Sequence, residues 1–148
     1  MAAGAFTFYN QFAELVADGT IDLDNDTFKL ALLDSGYSPS AASTTFSVVD
    51  EDEISGSGYS AGGETLTSVS WSQTAGVATF DAADVEYTAD GGTITARYAV
   101  LHDTTVGGAG DLIGYFLLDS TPADVSVTDG NTLTIQWHED GIFTLDVT

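Results

Sequence analysis

Apolar and polar residues alternate along most of the chain, which predicts a protein built mainly of β-strands. In TFKLALL (residues 27–33), Phe28, Leu30 and Leu32 fall on one face of an extended chain, while Lys29 falls on the other. Comparable runs, separated by turn residues, are IDL (21–23), TLTSVSWSQ, VATFDAADVEY, TITARYAVLHD, LIGYFLLD and TLTIQWHEDGIFTLDV. We predict seven to nine strands in an antiparallel β-sandwich or a jelly-roll-like barrel. EDG in the last run is expected to form a hairpin-like turn.

The first 19 residues follow a different period. Their apolar side chains recur at helical spacing, at Phe8, Phe12, Leu15 and Val16. Gly19 is well placed to end such a helix. The pattern predicts one short N-terminal helix within residues 1–19.

At 148 residues the chain is short enough to form a single β-rich domain, 1–148. Within it, residues 48–63 combine several acids with many glycines and serines. We expect this segment to be an exposed, flexible loop that could lie on a neighbouring subunit, as the N-terminal segment could also do.

The charge of the chain is extreme. It has 23 acidic residues, only two basic ones and a formal net charge of −21, yet 43% of its residues are hydrophobic. Such a chain can form a core, but its charges repel one another in dilute buffer. At about 1 M salt the Debye length falls to about 3 Å, which screens that repulsion. The composition therefore favours adaptation to very salty water, with an ordinary acidic protein at moderate salt as the alternative.

Several classes of function are disfavoured by the same composition. A field this negative repels phosphates, so nucleic acid is not an expected partner. The absence of cysteine excludes disulfides and thiolate metal sites. We expect no signal peptide, because the N-terminus lacks a basic start, and no membrane insertion, because no apolar run reaches 18 residues.

Candidate chemistry is sparse. Asp22, Asp24 and Asp26 alternate in DLDND and are weak candidates for a calcium-type site, although Thr27 stands where an EF-hand loop has glycine. A solvated acidic face is the more common origin of such a pattern. The two histidines, His102 and His138, are too few for a zinc site. Ser60 in GYSAGGETL lacks the flanking glycines of a hydrolase elbow. We expect no catalytic residue, no metal and no cofactor; a small hydrolase is the alternative.

The two cations occur in strand-like runs. Arg97 falls on the less apolar face of TITARYAVL, where Ile94 and Tyr98 are expected to share the opposite face. We predict that Arg97 and Lys29 form structural ion pairs with carboxylates of neighbouring strands, Arg97 in bidentate form. A subunit contact is the alternative for Arg97.

Aromatic residues offer a second functional hypothesis. Trp71, Trp137 and several tyrosines could form a stacking surface for a carbohydrate on a host cell, although aromatic residues at strand spacing commonly belong to a core.

The ordered set of segments carries a resemblance. IDLDNDTFKLALLDSGYSP, EISGSGYSAGGETL, ATFDAADVEY, TITARYAVLHD, LIGYFLLD and LTIQWHEDGIFTL, covering about Thr20 to Leu145, resemble a family of small virion proteins of tailed phages. Members of that family are described as head decoration, head fibre or structural proteins. The resemblance implies a non-enzymatic protein with no catalytic residues to carry over.

The resemblance also implies a place and partners. The chain would be made in the host cytoplasm and would lie on the capsid exterior, as a decoration or turret subunit bound to copies of itself and to the major capsid protein or another virion protein. A tail or fibre component, or a module that binds a host-surface glycan, is the alternative. Most members carry more lysine, so the acidic composition suggests the virus of a halophilic, haloarchaeal host.

Overall fold

The protein, described here by a computed structural model over residues 2–105 and 110–147, consists mainly of antiparallel strands. Within those residues no helix is both long and apolar enough to cross a lipid bilayer. One α-helix, α1, spans Phe12–Ala17, and 3₁₀ turns span Phe46–Val48 and Asp50–Asp52. The strands are β1 (Thr7–Phe8), β2 (Phe28–Leu33), β3 (Glu64–Thr65), β4 (Ser70–Thr74), β5 (Val77–Asp81), β6 (Val85–Thr88), β7 (Ile94–Ala96), β8 (Tyr98–Asp103), β9 (Asp111–Leu117), β10 (Val125–Val127), β11 (Thr132–Ile135) and β12 (Phe143–Asp146).

The strands form a β-sandwich-like fold, as the alternation predicted. The largest sheet has the order β1-β9-β8-β2-β3 and is antiparallel at every pairing. Against it lie a three-stranded sheet, β12-β5-β4, and two ribbons, β10-β7 and β11-β6. Because β11 and β12 pair with different strands, the two halves of the C-terminal run belong to different sheets.

The main core lies between the large sheet and these smaller ones. Phe28, Leu30 and Leu32 of β2 are fully buried there, which confirms the face predicted for them. From the opposite layer, Phe80 and Phe143 stack with ring centroids 4.9 Å apart, and Phe80 meets Phe28 edge to face at 5.2 Å. Burial of such aromatic side chains contributes most of the stabilisation of a sandwich core.

The other face of the large sheet is covered as well. Ala31 and Leu33 of β2 pack with Tyr37 and Val49 from the connection that follows, and with Tyr9 from the N-terminal segment. The hydroxyls of Tyr9 and Tyr37 are hydrogen-bonded at 2.6 Å inside this second cluster. Burial on both faces explains why β2 has an almost continuous apolar sequence.

The N-terminal helix is shorter than predicted. Phe8 belongs to β1, and α1 begins only at Phe12, although the two rings still stack at 4.9 Å. The cause is backbone pairing, because Gly4 N–H donates to Leu117 O and Tyr9 N–H donates to Ile113 O along the edge of β9. Helical spacing of four side chains could not reveal that a free strand edge was available.

The predicted strand at residues 21–23 is also wrong, since this stretch forms a turn. The Asp22 carboxylate accepts hydrogen bonds from the N–H groups of Asp24 and Asn25. Side chains of this type compete with a strand ladder by satisfying nearby backbone groups.

Residues 48–63 are not the loose excursion that their composition predicted. Ile54 N–H donates to Leu32 O, so the segment continues the edge of β2. Tyr59 Oη accepts from Leu32 N–H at 2.9 Å and donates to Glu53 Oε1 at 2.7 Å. Glu53 Oε1 also accepts from Gly62 N–H. The segment is therefore tied to its own subunit by the partly buried Tyr59 and the carboxylate of Glu53.

Arg97 marks a bend between two sheets. It separates β7 from β8, and Ala96 and Ala99 both face the main core, whereas Val100 faces the second cluster. The simple alternation predicted across this run is therefore wrong, because the bend resets which residues face inward. Strands that pass from one layer to another at such bends are typical of sandwiches.

Candidate functional site

The surface of the protein is dominated by carboxylates. All 23 acidic residues lie in the described ranges, and Asp103 is the only one of them that is buried. The other 22 are exposed or partly exposed, and the chain has only two basic residues that could pair with them. Few of these charges have a cationic partner, so the field around the protein is strongly negative.

The two cations differ in their surroundings. Arg97 Nε donates to Asp124 Oδ1 at 2.7 Å, a single contact rather than the bidentate pair predicted, and Asp124 precedes β10 rather than lying in a strand. Lys29 takes part in none of the ion pairs found within residues 2–105 and 110–147. The side chain of Lys29 passes close to Gly62, since a Cβ added to Gly62 would lie 3.7 Å from Lys29 Nζ. The carboxylate partner predicted for Lys29 is therefore not observed.

The Asp22–Asp26 turn uses its carboxylates for its own backbone. Asp22 accepts from Asp24, from Asn25 N–H and, at 2.9 Å, from Asn25 Nδ2, and these bonds lower the pKa of Asp22. Asp26 Oδ2 accepts from Asp22 N–H at 2.7 Å. In the described part of the chain, no three His, Asp or Glu side chains are grouped so that they could hold a metal ion.

A buried carboxyl, Asp103, lies beside the partly exposed Asp26 of this turn. Asp103, at the end of β8, is 0% exposed, and its Oδ2 has no hydrogen-bond donor among the described residues. Its Oδ1 accepts from Thr105 N–H at 2.7 Å. Burial, aided by the adjacent carboxyl of Asp26, raises the pKa of Asp103 to about 6. Two acids this close share a proton more readily than they carry two charges.

His102 is a buried structural residue in this arrangement. It is 4% exposed, and its ring stacks on Phe46 at 4.1 Å. Nε2 is 2.9 Å from Gly62 O, which can only accept, so the proton resides on Nε2. Burial, with the nearby charge of Lys29, lowers the pKa of His102 and keeps it neutral.

The second histidine, His138, is exposed in the turn before Gly141 and interacts with Asp140, whose carboxylate lies 3.2 Å from its Nδ1. The described hydrogen bonds of His102 and His138 involve no serine or threonine hydroxyl. Ser60 is exposed in the segment 48–63, and neither described ring hydrogen bond involves its hydroxyl. The arrangement supplies no activated nucleophile from these residues.

The two tryptophans are half-buried against the main core and do not share a platform. Trp137 packs on Phe116 at 6.0 Å, and its indole N–H donates to Ala83 O at 3.1 Å. It lines an open apolar groove of about 540 Å³ beside the N-terminal segment, and Trp71 is not among the residues that line this groove. Trp71 instead lies on β4, 6.5 Å from Phe143.

Uncharged surface is concentrated in a few places. One is a shallow hollow of about 480 Å³ between α1 and β12, where Phe8 and Leu145 are exposed. The other is the β4–β5 hairpin, which up to Phe80 belongs to a run of 16 residues, 65–80, without a single charge; Asp81 ends both the run and β5. Sequence reasoning overlooked this run, although the gap between Glu64 and Asp81 was visible in the sequence.

Comparison with known proteins identifies no relative of this chain. No protein-family model matches it, and neither a curated protein nor a solved structure is significantly similar to it. Function is therefore proposed from the residues, their geometry and the ordered resemblance stated above.

Proposed function

We propose that the chain is a non-enzymatic structural subunit of a tailed-virus particle, a decoration or turret subunit on the outside of the head of a virus from a high-salt host. The observation that carries the proposal is the division of the surface. Twenty-two of the 23 acids lie outside the core, while the longest exposed edge strand, β4, is uncharged. A shell of carboxylates keeps a protein dispersed in brine, and an uncharged strand leaves a place where copies can meet.

The chemistry of the few polar buried groups supports a structural role. Asp103 and His102 are held by backbone groups and by stacking. The apolar groove beside Trp137 is lined mainly by core side chains such as Phe116 and Leu133. The ordered resemblance to small virion proteins agrees with such a subunit.

The carbohydrate-binding alternative finds less support. A glycan platform gains from neighbouring aromatic faces that stack on successive sugar rings. Trp71 and Trp137 belong to different surfaces, and each is partly used by the core.

The proposal is tested by following the chain in lysates of cells that produce it. An antibody against the chain is used on density-gradient fractions prepared at high salt. We expect the chain to co-sediment with particles at a constant ratio to the major capsid protein and to remain bound after a second gradient. Recovery of the chain only in the soluble fractions at the top would refute the virion role.

A further inference from the structure

The hairpin of β4 and β5 fixes which backbone groups of β4 point outward. Its turn has two residues, Ala75 and Gly76, with φ of 52° and 88°, so it is of the primed type that joins strands directly. In such a hairpin the flanking pair, Thr74 and Val77, is hydrogen-bonded, and hydrogen-bonded pairs then alternate along the ladder. Trp71 and Gln73 therefore direct their N–H and C=O groups away from β5.

No described strand pairs with that outer edge. In the sheet order β12-β5-β4, β4 is terminal, and neither Trp71 nor Gln73 takes part in a backbone hydrogen bond outside the hairpin within residues 2–105 and 110–147. Every residue of β4 except the half-buried Trp71 is exposed. An exposed strand edge of this kind is a template for another strand.

The edge also lacks the protection that soluble proteins usually give it. Charged side chains on an edge strand discourage pairing. This chain carries 23 acids, yet none lies between Glu64 and Asp81. The other terminal strands of the two larger sheets differ, since β3 begins with Glu64, β12 ends with Asp146 and β1 has only two residues. The uncharged ribbon strands β7, β10 and β11 are shorter than β4, with three or four residues each.

The net charge of the chain indicates that the partner at the β4 edge is a second copy of the same chain. A second copy of this chain also carries a net charge of −21, so two copies can approach closely only where both surfaces are uncharged. The β4 edge meets that condition on both sides at once, because a two-fold axis places the same strand opposite itself. A basic partner would gain nothing from an uncharged strand in an otherwise acidic surface.

We propose that β4 pairs antiparallel with β4 of a second copy about a two-fold axis at Ser72. Trp71 then exchanges both backbone hydrogen bonds with the partner's Gln73, and Gln73 does so with the partner's Trp71. The two three-stranded sheets become one six-stranded sheet that runs from β12 of one copy to β12 of the other. This contact deepens the proposed function by naming the self-association surface.

The contact is small, so its strength depends on the setting. A pairing of five residues is short of the buried area that stable free dimers need. We expect a weak dimer in solution, favoured by salt because screening removes the long-range repulsion. On a particle that holds many copies side by side, the effective concentration would make the same contact persistent.

Site-directed disulfide formation tests the pairing. The natural chain has no cysteine, so Ser72→Cys introduces a single thiol. In the proposed register Ser72 opposes its own copy in a non-hydrogen-bonded pair with Cα atoms about 4.5 Å apart, within the range that a disulfide spans. Thr144→Cys is the matched control, because Thr144 is exposed and lies in the same row through Thr79, two strands away on β12.

Both variants are treated with diamide, which oxidises two thiols to a disulfide as it is reduced, at about 0.1 M and about 1 M NaCl. We expect Ser72→Cys to form covalent dimer at least about tenfold faster than Thr144→Cys, with a larger ratio at the higher salt. Equal rates, or faster cross-linking of Thr144→Cys, would overturn the proposal.

A second variant tests the backbone hydrogen bonds of the proposed β4–β4 pairing without a cross-link. Gln73→Pro removes an outward N–H, a position where edge strands accept proline. Sedimentation at high protein concentration should give a lower weight-average mass for Gln73→Pro than for the wild type, with circular dichroism confirming that both are folded. Unchanged self-association in a folded Gln73→Pro variant would contradict the pairing. If the chain does not self-associate but still co-sediments with particles, this contact is refuted and the virion role stands. If the chain forms the β4-linked dimer but is absent from particles, the virion role is refuted and the contact stands.

Discussion

Replacing Asp103 by Asn should stabilise the protein at neutral and alkaline pH. Asp103 is fully buried, accepts one hydrogen bond from Thr105 N–H and lies beside the carboxyl of Asp26. When both acids are ionised, neither can donate to the other, and the charge of Asp103 has no cationic partner among the described ion pairs. An asparagine keeps the oxygen that accepts from Thr105 and replaces the charged oxygen by a neutral donor.

The size of the effect follows from the raised pKa of Asp103, about 6 against an ordinary value of 3.8. A difference of about two pH units corresponds to about 3 kcal/mol, because each unit is about 1.4 kcal/mol. The folded state binds this proton more tightly than the unfolded state does, so this carboxyl stabilises the fold at low pH. That stabilisation is lost as pH rises from about 4 through about 6. We expect Asp103→Asn to gain about 1–3 kcal/mol at pH 8, and almost nothing near pH 4.

Urea denaturation at pH 4 and pH 8, followed by the fluorescence of Trp71 and Trp137, measures both differences. Urea is uncharged and leaves the ionic strength unchanged. Glu139→Gln is the matched control, since Glu139 is exposed in a turn and the change removes the same unit of charge. The reasoning would be refuted if Glu139→Gln raised the free energy of unfolding at pH 8 as much as Asp103→Asn does. It would also be refuted if Asp103→Asn raised that free energy equally at pH 4 and pH 8.

Three further outcomes are expected. The melting temperature of the wild type should rise by about 5 °C or more between about 0.1 M and 1 M NaCl, because screening relieves the repulsion of a −21 surface; a flat calorimetric profile would contradict this. Ala75→Asn should stabilise the protein by about 1 kcal/mol in chemical denaturation, because Ala75 occupies a left-handed position, φ 52°, that asparagine tolerates better; a loss would argue against the primed turn. Tyr59→Phe should cost about 1–3 kcal/mol, because Leu32 N–H loses its acceptor, and should speed proteolysis within residues 48–63; an unchanged cleavage rate would indicate that Tyr59 does not hold the segment.

The strand content of the fold could be predicted because Phe28, Leu30 and Leu32 recur at every second residue of β2, and that face assignment is confirmed. The bend at Arg97 could not be predicted, because Ile94 and Val100 look equally apolar in the sequence. They lie in different core clusters only because the chain passes from one sheet to another between them. The N-terminal strand was missed for a related reason, since its partner, β9, lies about a hundred residues away in sequence.

The interaction surface was the part that sequence reasoning left least developed. Charge was treated as a total of −21, which concealed the uncharged run at residues 65–80. Asp103 looks like one acid among many in the sequence, because its burial depends on β8 lying between β2 and β9 in the folded sheet. Mapping the gaps between charges, rather than the charges themselves, would have located β4.

The central claim is that this acidic β-sandwich is a repeated external subunit of a virion, and image reconstruction of purified particles tests it most directly. Particles kept at high salt should show density for the sandwich outside the head shell in many symmetry-related copies. The β4 strands of neighbouring copies should face one another across two-fold contacts. A reconstruction of complete particles with no density for this chain on the exterior, obtained without loss of external proteins, would contradict the claim.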